Sequence, residues 1–106
     1  MKALKQFSGL IFLIIILLSS SCDKDKTDPV ITIIGDNPKT LCVDQPYEDA
    51  GATALDNEDG DLTNLIEVTI NVDNSQPGTG HVSYSVTDNA GNTGTASRTV
   101  EVIYCK

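Results

Sequence analysis

Between Gly80 and Ile103 apolar and polar positions alternate: Val82, Tyr84 and Val86 interleave with Ser83, Ser85 and Thr87, and Val100 and Val102 interleave with Thr99 and Glu101. Period two over runs of this length predicts half-buried strands. The intervening Asp88-Asn89-Ala90-Gly91-Asn92 holds the residue types that tolerate positive φ, so the whole segment reads as a β-hairpin. Upstream, Val30-Ile31-Thr32-Ile33-Ile34 is a β-branched strand run closed by the turn formers Gly35-Asp36-Asn37-Pro38. Thr40-Leu41-Cys42-Val43 predicts a second short strand, and Ala50 to Leu55 a third with small side chains suited to close packing. After the polar turn Asp56 to Asp61, alternation returns with Ile66, Val68, Ile70 and Val72 facing one way. The predicted core is Val82, Tyr84, Val86, Val100, Val102, Ile31, Ile33, Val68 and Ile70.

No helical periodicity follows Cys22. About seven short strands with closely spaced turn signals predict an all-β, immunoglobulin-like β-sandwich, with a barrel as the alternative. There is no tryptophan and no cysteine spacing of antibody type, so the sandwich would lack the antibody core.

The first residues follow a different rule. Lys2 and Lys5 precede the unbroken apolar run Leu10 to Leu18, and Ser19-Ser20-Ser21-Cys22 follows. A charged start, a short apolar centre and small residues before a processing point describe a secretory signal over residues 1–21, too short to span a bilayer comfortably. Leu18-Ser19-Ser20-Ser21-Cys22 resembles the lipobox of bacterial lipoprotein precursors, although Ser19 stands where that family usually has an aliphatic residue. The resemblance implies that Cys22 is lipidated and becomes the mature N-terminus. Residues 22–28 then form the lipidated cysteine and a charged tether, similar to those of surface-exposed Bacteroidetes lipoproteins, and residues 29–106 the sandwich.

Charge narrows the partners. The formal net charge is −8, and removal of residues 1–21 takes away two lysines and no acids, leaving −10. Nucleic-acid association needs the opposite sign, and anionic lipid repels such a surface, so membrane attachment would rest on the lipid alone.

Pro29-Val30-Ile31-Thr32, Asp36-Asn37-Pro38, Tyr47-Glu48-Asp49-Ala50-Gly51-Ala52, Asp56-Asn57-Glu58-Asp59-Gly60-Asp61 and Tyr84-Ser85-Val86-Thr87-Asp88-Asn89-Ala90-Gly91-Asn92 occur in that order. Together they resemble the bacterial Ig-like domain found in some pesticidal crystal proteins and many bacterial surface proteins, itself similar to hyalin-repeat modules. The likeness covers residues 29 to about 103. It implies an extracellular module acting in adhesion or as a spacer, and says little of the ligand. In an Ig-like topology the short strand holding Cys42 runs parallel to the last strand. Cys42 and Cys105 would then reach the same pole and pair as a disulfide in the oxidising envelope.

The acidic turn offers the chain's metal-ligand chemistry, since hard oxygen donors spaced one apart can converge on Ca²⁺. It is not an EF-hand: with Gly60 at the sixth loop position, the first ligand would be Leu55. In a sandwich the loops at one end come together, bringing Asp88 and Asn89 toward Asp56, Asp59 and Asp61, with Asp28 at the same pole. The competing account is a solvated acidic turn, with no cofactor. Catalysis has little support: the single histidine, His81, falls on the polar side of its strand, and no Gly-x-Ser-x-Gly elbow or zinc-type Cys and His spacing is present.

The sequence therefore predicts a non-enzymatic, lipid-anchored module of the bacterial cell envelope, on the outer membrane and exposed at the surface. Its work is adhesion, or the binding of a protein or glycan partner. The alternative is a structural spacer or accessory subunit of an envelope complex. Glycan binding is disfavoured by the small number of aromatic residues, Tyr47, Tyr84 and Tyr104 after Cys22.

Overall fold

The computed structural model describes residues 25–106. The signal segment, Cys22 and the start of the tether lie outside the described residues. Seven strands form two sheets: β1 (Val30–Ile33), β2 (Lys39–Cys42), β3 (Ala52–Asp56), β4 (Gly60–Asp61), β5 (Glu67–Asn71), β6 (Gly78–Thr87) and β7 (Thr93–Ile103). A single 3-10 turn, Thr63–Leu65, lies between β4 and β5. One sheet has the order β1-β3-β4, the other β2-β7-β6-β5. This is an Ig-like β-sandwich. Among the described residues no helix is long and apolar enough to cross a membrane.

The β6–β7 hairpin is the backbone of the larger sheet, paired from Gly78 opposite Val102 to Thr87 opposite Thr93. Its alternation is the one read from sequence: Val82, Tyr84, Val86, Val100 and Val102 are buried. Against them pack Leu41 and Ala52, with Ala54 and Leu62 completing the core around Val86. Ile31 and Ile33 of β1 are half-buried against the same core.

Between β1 and β2 the chain crosses from one sheet to the other through Gly35, whose φ of 85° lies in the left-handed region. Asn37 bridges the gap before β2 begins to pair. Its side-chain oxygen accepts from the Thr99 N–H at 3.0 Å and its amide donates to the Ser97 carbonyl at 3.4 Å, occupying β7 as a strand neighbour would. From there β2 runs parallel to β7, Lys39 opposite Val100 and Cys42 opposite Ile103. That register brings Cys42 to Cys105, and the two form a disulfide with Cα atoms 5.4 Å apart.

Two predicted core residues are not in the core. Val68 is 46% exposed and Ile70 53%. They sit opposite Tyr84 and Val82, so they face inward as expected. The smaller sheet does not reach them: β5 is the far edge of its sheet, while β1 packs across β7 and β6. Only Ile66 and Val72, which flank β5, touch the core.

At the opposite end of the hairpin, the chain leading into β1 lies tightly on β7. Pro29 is buried, and a methyl group built on Gly94 would sit 2.0 Å from the Pro29 carbonyl oxygen. Glycine is required for that approach. It holds residues 25–29 beside the turn between β6 and β7.

Candidate functional site at the acidic pole

Strand periodicity aims two carboxylates into the end of the sandwich. On β3, Ala52, Ala54 and Asp56 occupy the inward positions, and Asp56 is only 3% exposed. On β6 the inward series Val82, Tyr84, Val86 continues to Asp88, which is 6% exposed. Asp25 joins them from the segment before β1, and one carboxylate oxygen from each of the three lies within 4.8 Å of the others.

Each carboxylate is oriented by its own turn. Asp56 Oδ2 accepts the N–H groups of Glu58 and Asp59 at 3.0 and 2.9 Å. Asp88 Oδ1 accepts from Ala90 and Asn92 N–H at 2.9 and 2.8 Å. Asp25 Oδ1 accepts from the Thr27 N–H at 3.0 Å. The Asn92 side chain ties two of the segments together, donating to the Asp25 carbonyl and to Asp88 Oδ2. Burial pushes the Asp88 carboxyl up, but hydrogen bonds led by those of Asn92 outweigh it and hold the group below the ordinary carboxylate range.

Of the four residues proposed from sequence, the structure brings Asp56 and Asp88 into one cluster. Asp59 and Asp61 stand outside the three-carboxylate group: Asp59 Oδ2 accepts the Asn89 N–H at 2.7 Å, and Asp61 Oδ1 accepts the Thr63 N–H at 2.9 Å. Asp28 is exposed beside an open groove of about 630 Å³ on the outer face of the smaller sheet, next to Val30 and Leu55. Asp25 was missed because its surroundings read as a solvated tether, and nothing local marks it as a ligand. The inward parity of Asp56 and Asp88 is, by contrast, visible in the sequence. The donor set is entirely oxygen, which suits hard cations and not zinc.

A second polar cluster lies in the core. Arg98 takes an inward position of β7 in line with Val100 and Val102, and is 1% exposed. Its Nε donates to Asp49 Oδ1 at 3.2 Å and to the Tyr84 hydroxyl, and its Nη atoms donate to the carbonyls of Ile34, Asp36 and Gly51. Tyr47 and Tyr84 both donate to Asp49. Burial raises the Asp49 carboxyl, yet these tyrosines, the Gly51 N–H and the Arg98 charge together hold it below its usual range. Both tyrosines are pushed up, by burial first and then by Asp49. With Nε and both Nη atoms of Arg98 bonded to the strand crossover or the core, this network fastens the two sheets. His81 is exposed on the outer face of β6, opposite Thr99.

Residues 31–102 match the model of a family described as bacterial surface protein, Ig-like domain. The chain belongs to that family. Among solved structures, this Ig-like domain is similar to the lipoprotein BT2262 from Bacteroides thetaiotaomicron, at 27% identity and a TM-score of 0.61 over 74% of this chain and 39% of that one. It is also similar to two structures of Clostridium perfringens ZmpB. One holds the CBM51-2 module in complex with GlcNAc and INT domains, at 30% identity and a TM-score of 0.58 over 74% of this chain and 17% of that one. The other holds the M60 catalytic domain with the CBM51-1 and CBM51-2 domains, at 31% identity and a TM-score of 0.56 over 74% and 8%. The Ig-like domain thus spans well under half of each of these chains. No curated protein matches it.

Proposed function

We propose that the chain is a non-enzymatic module, anchored by lipid on Cys22 at the bacterial outer surface, that binds a protein partner along β5. The observation that carries this reading is the uncovered inner face at the sheet edge. Val68 and Ile70 occupy core-type positions without a covering sheet. An edge strand also offers unpaired backbone groups to an added strand. The Val68 and Ile70 side chains are both apolar and share the inner face with Tyr84 and Val82, so the fitting partner presents an apolar surface. A protein suits this face better than a glycan, because Tyr47 and Tyr84 are committed to Asp49 and Tyr104 stands exposed without a companion ring. The lipoprotein neighbour supports the anchor.

The test is photo-crosslinking on intact cells from position 68, with position 83 on the outer face of β6 as the comparison. Adducts from position 68 that vanish in an Ile70→Lys variant of unchanged thermal stability are the expected result. Adducts from both positions alike, or from neither, would refute the assignment. A second reading, a spacer, draws on the small fraction of the Clostridium chains that the domain matches, and absence of adducts would favour it.

A further inference from the structure

The acidic pole holds buried carboxylate oxygens without a partner. Asp56 is 3% exposed, its Oδ2 is satisfied by two turn N–H groups, and its Oδ1 has no hydrogen-bond partner. Asp25 Oδ2 is equally buried and unpartnered. Leaving a charged oxygen in this condition is strongly unfavourable, so such atoms call for a cation or an ordered water. A third carboxylate, Asp88, faces the same point, and like charges this close repel. Among the described residues the one salt bridge is Arg98–Asp49, in the core, so no basic side chain neutralises the cluster.

We propose that Asp25, Asp56 and Asp88 hold one calcium ion, which pins the segment leading into β1 to the loop end of the sandwich. Oxygens within 4.8 Å of one another are close enough for small side-chain rotations to bring all three to calcium distance of roughly 2.4 Å from one ion, with water filling the remaining positions. Three carboxylates supply enough charge for a divalent ion, and the set contains no nitrogen or sulfur to favour a transition metal. Each ligand is oriented before the ion arrives: Thr27, Glu58, Asp59, Ala90 and Asn92 fix one oxygen of a carboxylate and leave the other inward or shared. Two of the ligands belong to the folded sandwich and the third to the approach from the N-terminus. Calcium therefore stiffens the joint between tether and module.

The experiment uses the full chain, purified in detergent and stripped of metal with chelator, and titrates it calorimetrically with CaCl₂. One ion per chain is expected, in the affinity range of extracellular modules, about 10⁻⁴ to 10⁻³ M or tighter. Asp56→Asn should weaken binding at least about ten-fold, since it removes one unit of ligand charge while keeping an oxygen for the Glu58 and Asp59 N–H groups. Asp25→Asn should do the same and leave the metal-free thermal midpoint no lower than the parent's, because that side chain holds only the Thr27 N–H and its neutralisation relieves repulsion within the cluster. Asp44→Asn, beyond β2 at the other pole, should bind like the parent. As a second readout, calcium should slow tryptic cleavage after the exposed Lys26 at least about ten-fold by closing local opening of this segment. No heat of binding at millimolar CaCl₂ would overturn the proposal. So would an affinity that Asp25→Asn and Asp56→Asn leave intact, or an equal response to MgCl₂.

Discussion

Arg98 and Asp49 show how much one residue pair holds in a core this small. Removing one partner of a buried ion pair leaves the other charged and unsolvated, and Asp49→Ala should cost about 3–5 kcal/mol, a large part of a small domain's stability. Urea unfolding checks this. Replacing both, as Asp49→Leu with Arg98→Met, should recover much of the loss because no buried charge is then left alone. The same pair sets an acid limit. Asp49 titrates below its unfolded value of about 3.9, so its contribution is present above that pH and is lost as pH falls through the lower folded value. Thermal midpoints of the parent should therefore decline steeply below about pH 4, and those of Asp49→Asn should decline less. Arg98 was missed from the sequence although it shares the parity of Val100 and Val102, and nothing in the sequence marks its partner. Asp49 is 49 residues away in a stretch of loop.

At the scale of strands, β2 and β5 make opposite points. β2 is only four residues long, and its parallel pairing with β7 is fastened by the Cys42–Cys105 bridge. With the cysteines 63 positions apart, the chain-entropy account assigns the bridge about 4 kcal/mol. Cys42→Ser should lower the thermal midpoint by well over 10 °C. The acidic cluster lies at the far end of β7, eleven residues or roughly 33 Å away, so the loss should be the same with and without calcium. β5 has the alternation of a buried strand but lacks a cover. Val68→Thr and Ile70→Thr should each change stability by no more than about 0.5 kcal/mol, whereas Val82→Ala should cost about 2 kcal/mol. Denaturant curves on the three variants decide it. Comparable costs at all three positions would mean that β5 is covered after all.

On the scale of the whole molecule, the proposed anchor on Cys22 is open to direct test. Mass spectrometry of the membrane fraction should find Cys22 as the N-terminal residue bearing several acyl chains, because a single chain holds a protein only marginally. Recovery of a peptide starting at Met1, or of unmodified Cys22 from the soluble fraction, would contradict this. The longer strands, the β6–β7 hairpin and its buried face follow from the sequence by itself, because period-two alternation and turn chemistry act between neighbours along the chain. The inward aim of Asp56 and Asp88 belongs to the same class, since each continues the parity of its strand. The two-residue β4, read as part of the polar turn Asp56 to Asp61, is made a strand only by its pairing with β3. What the tertiary structure alone decided is which inward positions are covered and which distant groups meet. Val68 and Ile70 stay exposed because the smaller sheet stops short of β5. Asp25 reaches Asp88 through an Asn92 contact spanning 67 residues, next to the close approach of Pro29 to Gly94. Local pattern carries no information about such docking, because it depends on the relative extent of two sheets and on the close approach of backbones far apart in the chain.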